Sequence, residues 1–174
     1  MPHMSAPVIG KLCSLVIKMD FNPYDNFVFF DSCAFDGGTV EEQTASLQAQ
    51  EILEKNKKKI MVMYSVDDEL KQESTPNKLK ELGKVSRKTV KLNLTQSEKE
   101  QLDRITEIIV GNGKPEKRKA DCLHVFEAQK YGGCFITSDK GIYKHASAIF
   151  NEFGLFIVTP SEFLAVLLKY SEQT

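Results

Sequence analysis

Short apolar runs alternate with longer amphipathic segments along most of this chain. Four runs have the length and the aromatic or β-branched content of buried strands: FVFF (27–30), IMVMYS (60–65), CFITSD (134–139) and LFIVTP (155–160). Because helical patterns separate these runs, the sequence predicts an α/β fold. We expect three layers, with a mostly parallel central sheet flanked by helices.

The helical segments are recognised by their end signals. The turn Asp36-Gly-Gly-Thr39 places a capping threonine before the first helix, and Thr95-Gln-Ser-Glu98 is a capping-box pattern. DDELKQES (67–74) opens a further helix, which Thr75-Pro76 interrupts. The remaining helices are predicted over 40–56, from Thr95 to Gly111, over 119–130 before Gly132-Gly133, and from a Ser161 cap to Tyr170.

The alternating pattern begins only at residue 27, which divides the chain unequally. Residues 27–174 are predicted to form one domain. Residues 1–26 are interpreted as an N-terminal extension, within which MPHM (1–4) is interpreted as a tag remnant.

Composition and charge limit the classes of function. The 174 residues are 41% hydrophobic and 27% charged, with a formal net charge of −1, so no global field attracts nucleic acid or anionic membranes. The four cysteines form no C-x-x-C pair, which indicates a reducing compartment. No apolar run is long enough to cross a bilayer, and the start lacks a signal-peptide pattern. We therefore expect a cytoplasmic protein.

Acidic residues follow the predicted strands or lie near helix starts. Asp31, Glu69 and Asp139 follow the first three strands, and Asp121 lies near the start of a helix. Parallel strands present their carboxyl ends at one edge of a sheet, so these acids are expected to meet there. Clustered carboxylates stay ionised when a cation lies among them, and oxygen ligands suit Mg²⁺ or Mn²⁺. Repulsion among them also predicts that Asp31→Asn raises the melting temperature of the metal-free protein.

Competing interpretations exist for several of these positions. Asp68 is adjacent to Glu69 and competes with it, whereas Asp67 suits the start of the next helix. His124 is interpreted as a packed residue rather than a ligand. A phosphatase of the haloacid-dehalogenase type would need an acid at the position of Cys33, so that chemistry is disfavoured.

Four stretches in the same order resemble the PIN-domain nucleases, a family that includes the VapC-like toxins. The stretches are FFDSCAF, YSVDDEL, DCLHVFEAQKYGGCFITSD and IVTPSEFL, and the resemblance covers roughly residues 27–165. It implies a PIN-like fold and Mg²⁺- or Mn²⁺-dependent hydrolysis of RNA phosphodiester bonds by an endoribonuclease. The metal ligands it implies are Asp31, Glu69, Asp121 and Asp139, and the hydroxyls that orient water or ligands are Ser32 and Thr137 or Ser138.

The same resemblance leaves the biological role open. One expectation is the toxin of a toxin–antitoxin pair, neutralised by an antitoxin protein, and the chain is also expected to form a homodimer. A stand-alone RNA-processing or defence nuclease is a second expectation. A catalytically silent RNA-binding or scaffold module is the alternative from another class.

Two basic stretches, 77–94 and 114–119, are either solvated faces or a track for RNA phosphates. Arg118 and Lys119 lie directly before Asp121 in the sequence. They are therefore the basic residues expected to bind substrate phosphates.

Overall fold

In a computed structural model of the chain, the described residues are 21–66, 87–89 and 93–171. Strands and helices alternate through these residues, as the sequence predicts. The strands are β1 (Val28–Phe30), β2 (Met61–Val62), β3 (Arg87–Lys88), β4 (Cys134–Ile136) and β5 (Phe156–Val158). The helices are α1 (Ser32–Asp36), α2 (Val40–Lys55), α3 (Gln96–Val110), α4 (Pro115–Tyr131), α5 (Lys140–Tyr143), α6 (Ala146–Phe153) and α7 (Pro160–Ser171).

The five strands form one parallel sheet in the order β3-β2-β1-β4-β5. Phe29 of β1 lies opposite Met61 of β2 on one side and Phe135 of β4 on the other. Helix α2 packs against α7, and α3 packs against α4. The predicted three-layer α/β fold with a parallel sheet is confirmed.

The burial of the core explains why the sequences of the central strands are continuous apolar runs. Every residue of β1 and β4 is buried, because helices cover both faces of a parallel sheet. The ring of Phe30 contacts that of Phe35 at a tilt and meets that of Phe163 edge-on, which joins β1 to α1 and α7. Burial of these aromatic rings is a main source of the stability of the fold.

Most capping predictions are confirmed, and two helix starts are wrong. Thr39 caps α2, and Thr95 with Glu98 forms the predicted capping box at the start of α3. Helix α4 begins at Pro115 rather than at residue 119, because proline suits the first helical turn. The last helix begins at Pro160, where Thr159 accepts from the Glu162 N–H, so Ser161 is not its cap.

Several small elements were not predicted from the sequence. Strand β3 lies in the basic stretch and has only two residues, and α1 and α5 are helices of five and four residues. Such short elements show no apolar period. Residues 64–66 are helical, so the strand predicted over 60–65 is wrong at its end, and β2 stops at Val62. The helix predicted over 67–74, together with most of the basic stretch 77–94, lies outside the described residues.

The start of the described chain packs onto the sheet. Phe21 is buried, and its ring meets that of Phe156 edge-on with centroids 5.2 Å apart. None of the helices that the structure describes is both long and apolar enough to span a bilayer.

Candidate functional site

The centre of the sheet contains a topological switch point. Because the order is β3-β2-β1-β4-β5, the chain proceeds from β1 toward one edge and from β4 toward the other. In doubly wound sheets, the crevice beyond the carboxyl ends of two such strands is where ligands bind. Asp31 directly follows β1, and residues 137–139 directly follow β4.

Asp31 is buried at this position, and its carboxylate accepts several hydrogen bonds. One carboxylate oxygen accepts a hydrogen bond from the Ser32 N–H at 2.8 Å. The other accepts from the Thr137 hydroxyl at 2.9 Å and from the Cys33 thiol at 3.2 Å. Three donors thus compensate the loss of water around the carboxylate. This reverses the expected effect of Asp31→Asn, since donors rather than other carboxylates contact this group.

Cys33 acts here as a hydrogen-bond donor. Burial, reinforced by the negative charge of Asp31, raises the pKa of its thiol to about 12. The thiol is therefore protonated at neutral pH, which is the form that can donate to Asp31.

Thr137 connects the two strand-end acids. Its hydroxyl donates to Asp31 and accepts from the Asp139 N–H at 3.0 Å. Asp139 in turn caps α5, since its Oδ1 accepts from the Gly141 N–H at 2.6 Å. Asp31 and Asp139 therefore belong to one hydrogen-bonded unit, with fully buried Thr137 between them.

Helix α4 adds a third acid and a cation to this unit. Arg118 Nη1 donates to Asp121 Oδ2 at 2.7 Å and lies 3.7 Å from Asp139 Oδ2. The hydrogen bond to Asp121 raises the pKa of Arg118. A guanidinium thus lies between a carboxylate from α4 and one from the end of β4.

Gly141 makes the position of this guanidinium possible. A Cβ atom at residue 141 would overlap the terminal nitrogens and Cζ of Arg118. The arginine side chain therefore lies directly against the backbone at the start of α5.

His124 closes the buried side of the site. It follows Asp121 by about one turn of α4, is 2% exposed, and its Nδ1 lies 3.7 Å from Asp31 Oδ1. This distance is longer than a hydrogen bond. The interpretation of His124 as a packed residue agrees with its burial, and the packing is against Asp31.

The predicted site residues fall into three groups. Most of them meet at the switch point, where Ser32 contributes its backbone N–H. Lys119 is exposed and instead lines a cavity of about 270 Å³ together with residues of α3 such as Leu102. Glu69 and its competitor Asp68 lie outside the described residues. The group at the switch point comprises Asp31, Asp121, Asp139, Ser32, Thr137 and Arg118, and Ser138 directly follows Thr137 with its hydroxyl against Gly38.

Three contributors to the site were missed by the sequence reasoning: the thiol of Cys33, the bare backbone of Gly141 and the proximity of His124 to Asp31. Each lies two or three residues from a predicted acid, which is the only signal that the sequence carries. Their roles depend on tertiary distances.

The donor set suits a hard divalent cation in its chemistry. It consists of the carboxylates of Asp31, Asp121 and Asp139 and the hydroxyl of Thr137. The positive charge of Arg118 already lies between Asp121 and Asp139. Within residues 21–66, 87–89 and 93–171, no three His, Cys, Asp or Glu side chains are grouped closely enough to hold a metal ion.

Comparisons with known proteins add no family assignment. No protein-family model and no curated protein matches the chain. The resemblance to PIN-domain nucleases remains a prediction from the sequence.

Proposed function

We propose that the protein is a Mg²⁺- or Mn²⁺-dependent endoribonuclease whose active site lies at the switch point. One observation carries the proposal: Asp31 and Asp139 follow the adjacent strands β1 and β4 and are linked through Thr137, and the Arg118 guanidinium lies between Asp139 and Asp121. A purely structural sheet edge has no need for this concentration of negative charge.

The side chains have distinct roles in this proposal. Asp31, Asp121 and Asp139, with Glu69 from outside the described residues, would hold the divalent cation. When bound, the cation would neutralise charge on the phosphodiester and acidify the attacking water. Thr137 orients Asp31 through its 2.9 Å hydrogen bond, so the carboxylate needs no rearrangement when ligands arrive.

Arg118 supplies the positive charge for substrate binding in this scheme. Its side chain is about one-third exposed, so it can reach a phosphate outside the crevice. Ser32, Ser138 and Lys119 complete the proposed contacts to the substrate or to ordered water. The proposal extends to a cytoplasmic location, to an antitoxin protein that covers the acidic crevice, and to a homodimer.

Cleavage of single-stranded RNA in Mn²⁺ tests the proposal. Asp121→Asn should reduce cleavage to the background level because it removes one of the charges that hold the cation. Glu54→Gln on α2 is the matched control, since it removes an exposed carboxylate on the helix that packs against α7. Circular dichroism should show both variants folded. Undiminished cleavage by folded Asp121→Asn would refute the assignment.

One observation favours the alternative of a catalytically silent RNA-binding or scaffold module. The hydrogen bond and ion pair of Arg118 already neutralise part of the acidic cluster. Under this alternative, RNA would be bound and released intact in Mn²⁺. The same assay, run with gel-shift detection, separates the two functions.

A further inference from the structure

Arg118 lies where a divalent cation would need to be. Its Nη1 is 2.7 Å from Asp121 Oδ2 and 3.7 Å from Asp139 Oδ2. Two carboxylates that converge on one positive charge cannot give the same oxygens to a second cation without moving the first. Arginine also stays protonated at any working pH, so deprotonation cannot clear the position.

We propose that Arg118 is an internal counter-ion that a divalent cation must displace from Asp121 and Asp139. This inference rests on the proposed function, because it assumes that the acidic cluster is a metal site. It goes beyond that function by assigning the metal-free protein a closed state, in which the site is neutralised by its own side chain.

The surroundings of Arg118 permit such a displacement. The side chains of Arg118, Asp121 and Asp139 are 33%, 23% and 36% exposed, so the guanidinium can leave without crossing a packed core. Gly141 leaves space for the guanidinium beside α5, and that space is lost when residue 141 carries a Cβ. The closed state therefore depends on one glycine as well as on the two acids.

Displacement would couple metal binding to RNA binding. Once it leaves the carboxylates, the guanidinium can form paired hydrogen bonds with a phosphate. By linkage, a phosphate that binds Arg118 then raises the affinity for the cation, and the cation raises the affinity for the phosphate by the same factor. Arg118 thus neutralises the two carboxylates in the metal-free protein and binds the substrate phosphate in the metal-bound protein.

Calorimetric titration of the full chain with Mn²⁺ alone, without RNA, tests the inference. Arg118→Gln should bind Mn²⁺ at least about fivefold more tightly than the unaltered chain, because no ion pair must be broken. Gly141→Ala should show a gain in the same direction, because its methyl group expels the guanidinium while the net charge is unchanged. Lys117→Gln is the matched control, since it removes an exposed charge next to Arg118.

The outcomes separate this inference from the proposed function. Tighter binding by both Arg118→Gln and Gly141→Ala, with Lys117→Gln within twofold of the unaltered chain, supports the displacement. If Arg118→Gln binds no more tightly, or if Lys117→Gln gains as much, the inference is overturned. Absence of Mn²⁺ binding in every variant overturns both the inference and the metal site. Tighter binding without any RNA cleavage leaves the inference standing and refutes only the nuclease.

Discussion

At the scale of single residues, Asp31 shows how a buried carboxylate is stabilised by hydrogen-bond donors. Its oxygens accept from a backbone N–H, a hydroxyl and a thiol, and its side chain is 7% exposed. Hydrogen bonds to a charged acceptor are stronger than neutral ones, so they offset much of the cost of burial. The same donors fix the direction of the carboxylate toward the crevice.

We expect Asp31→Asn to lower the stability of the metal-free protein by about 1–3 kcal/mol. The amide loses the charge and turns an NH₂ group toward one of the donors, which leaves a buried donor unsatisfied. Urea denaturation gives the free energy of unfolding, and Glu41→Gln, at an exposed position of α2, is the control. A higher stability of Asp31→Asn would contradict this expectation and would support the repulsion between carboxylates that the sequence predicts.

The chemistry of the site was predictable from the sequence only in part. Strand-end acids are recognisable because a parallel sheet brings its carboxyl ends together, and Asp31 and Asp139 were found in this way. The guanidinium between Asp121 and Asp139 was not predictable, because it depends on where α4 lies relative to β4. The donor role of Cys33 likewise depends on a distance of 3.2 Å that no local pattern encodes.

At the scale of elements, α4 supplies one face of the site and also packs against the edge of the sheet. Glu127 of this helix is 5% exposed, and burial raises its pKa to about 7. Thr89 after β3, Lys130 on α4 and Ser65 after β2 offset part of this rise. Lys130 is itself paired with Glu98 of α3 at 2.9 Å. The junction of α4 with the sheet edge therefore contains a proton-binding group.

The raised pKa predicts a pH dependence of stability. Because folded Glu127 holds its proton more tightly than the unfolded chain does, its contribution is fully present below pH 4.5. That contribution is lost as the pH rises to about 7. Glu127→Gln should remove this slope and stabilise the protein at pH 8 by on the order of 2 kcal/mol. Denaturation at several pH values measures it, with Glu116→Gln, exposed on the same helix, as control.

An unchanged pH profile in Glu127→Gln would show that the carboxyl is ionised in the folded protein at neutral pH. Loss of stability at pH 8 would show that its charge is needed at the junction.

Elements with strong periodic or capping signals were predictable from the sequence. Elements whose bounds depend on packing at the sheet edge were not. The Gly132-Gly133 turn is clear in the sequence, and its reason is visible in the fold: Gly133 has a φ of +111° and abuts the backbone of Phe27. Strand β3 and the early start of α4 at Pro115 follow from packing against neighbours. A two-residue edge strand has too few side chains to give a recognisable alternating pattern in the sequence.

At the scale of the whole molecule, the doubly wound order explains how distant residues meet. Asp31 lies at the end of β1, Asp139 after β4, and Asp121 on the helix that joins the two halves of the chain. The net charge of −1 gives the molecule no general attraction for RNA, so under the proposed function RNA would be bound by local groups such as Arg118. The proposed function therefore depends on one crevice rather than on the surface as a whole.

The most direct test of this account is a crystal of the full chain grown with Mn²⁺ and measured at the manganese absorption edge. We predict one strong anomalous peak in the crevice beyond β1 and β4, bounded by the carboxylates of Asp31, Asp121 and Asp139, with Arg118 turned away. An ordered crystal with no peak there, or with Arg118 still between the two acids and manganese bound elsewhere, would contradict the proposal.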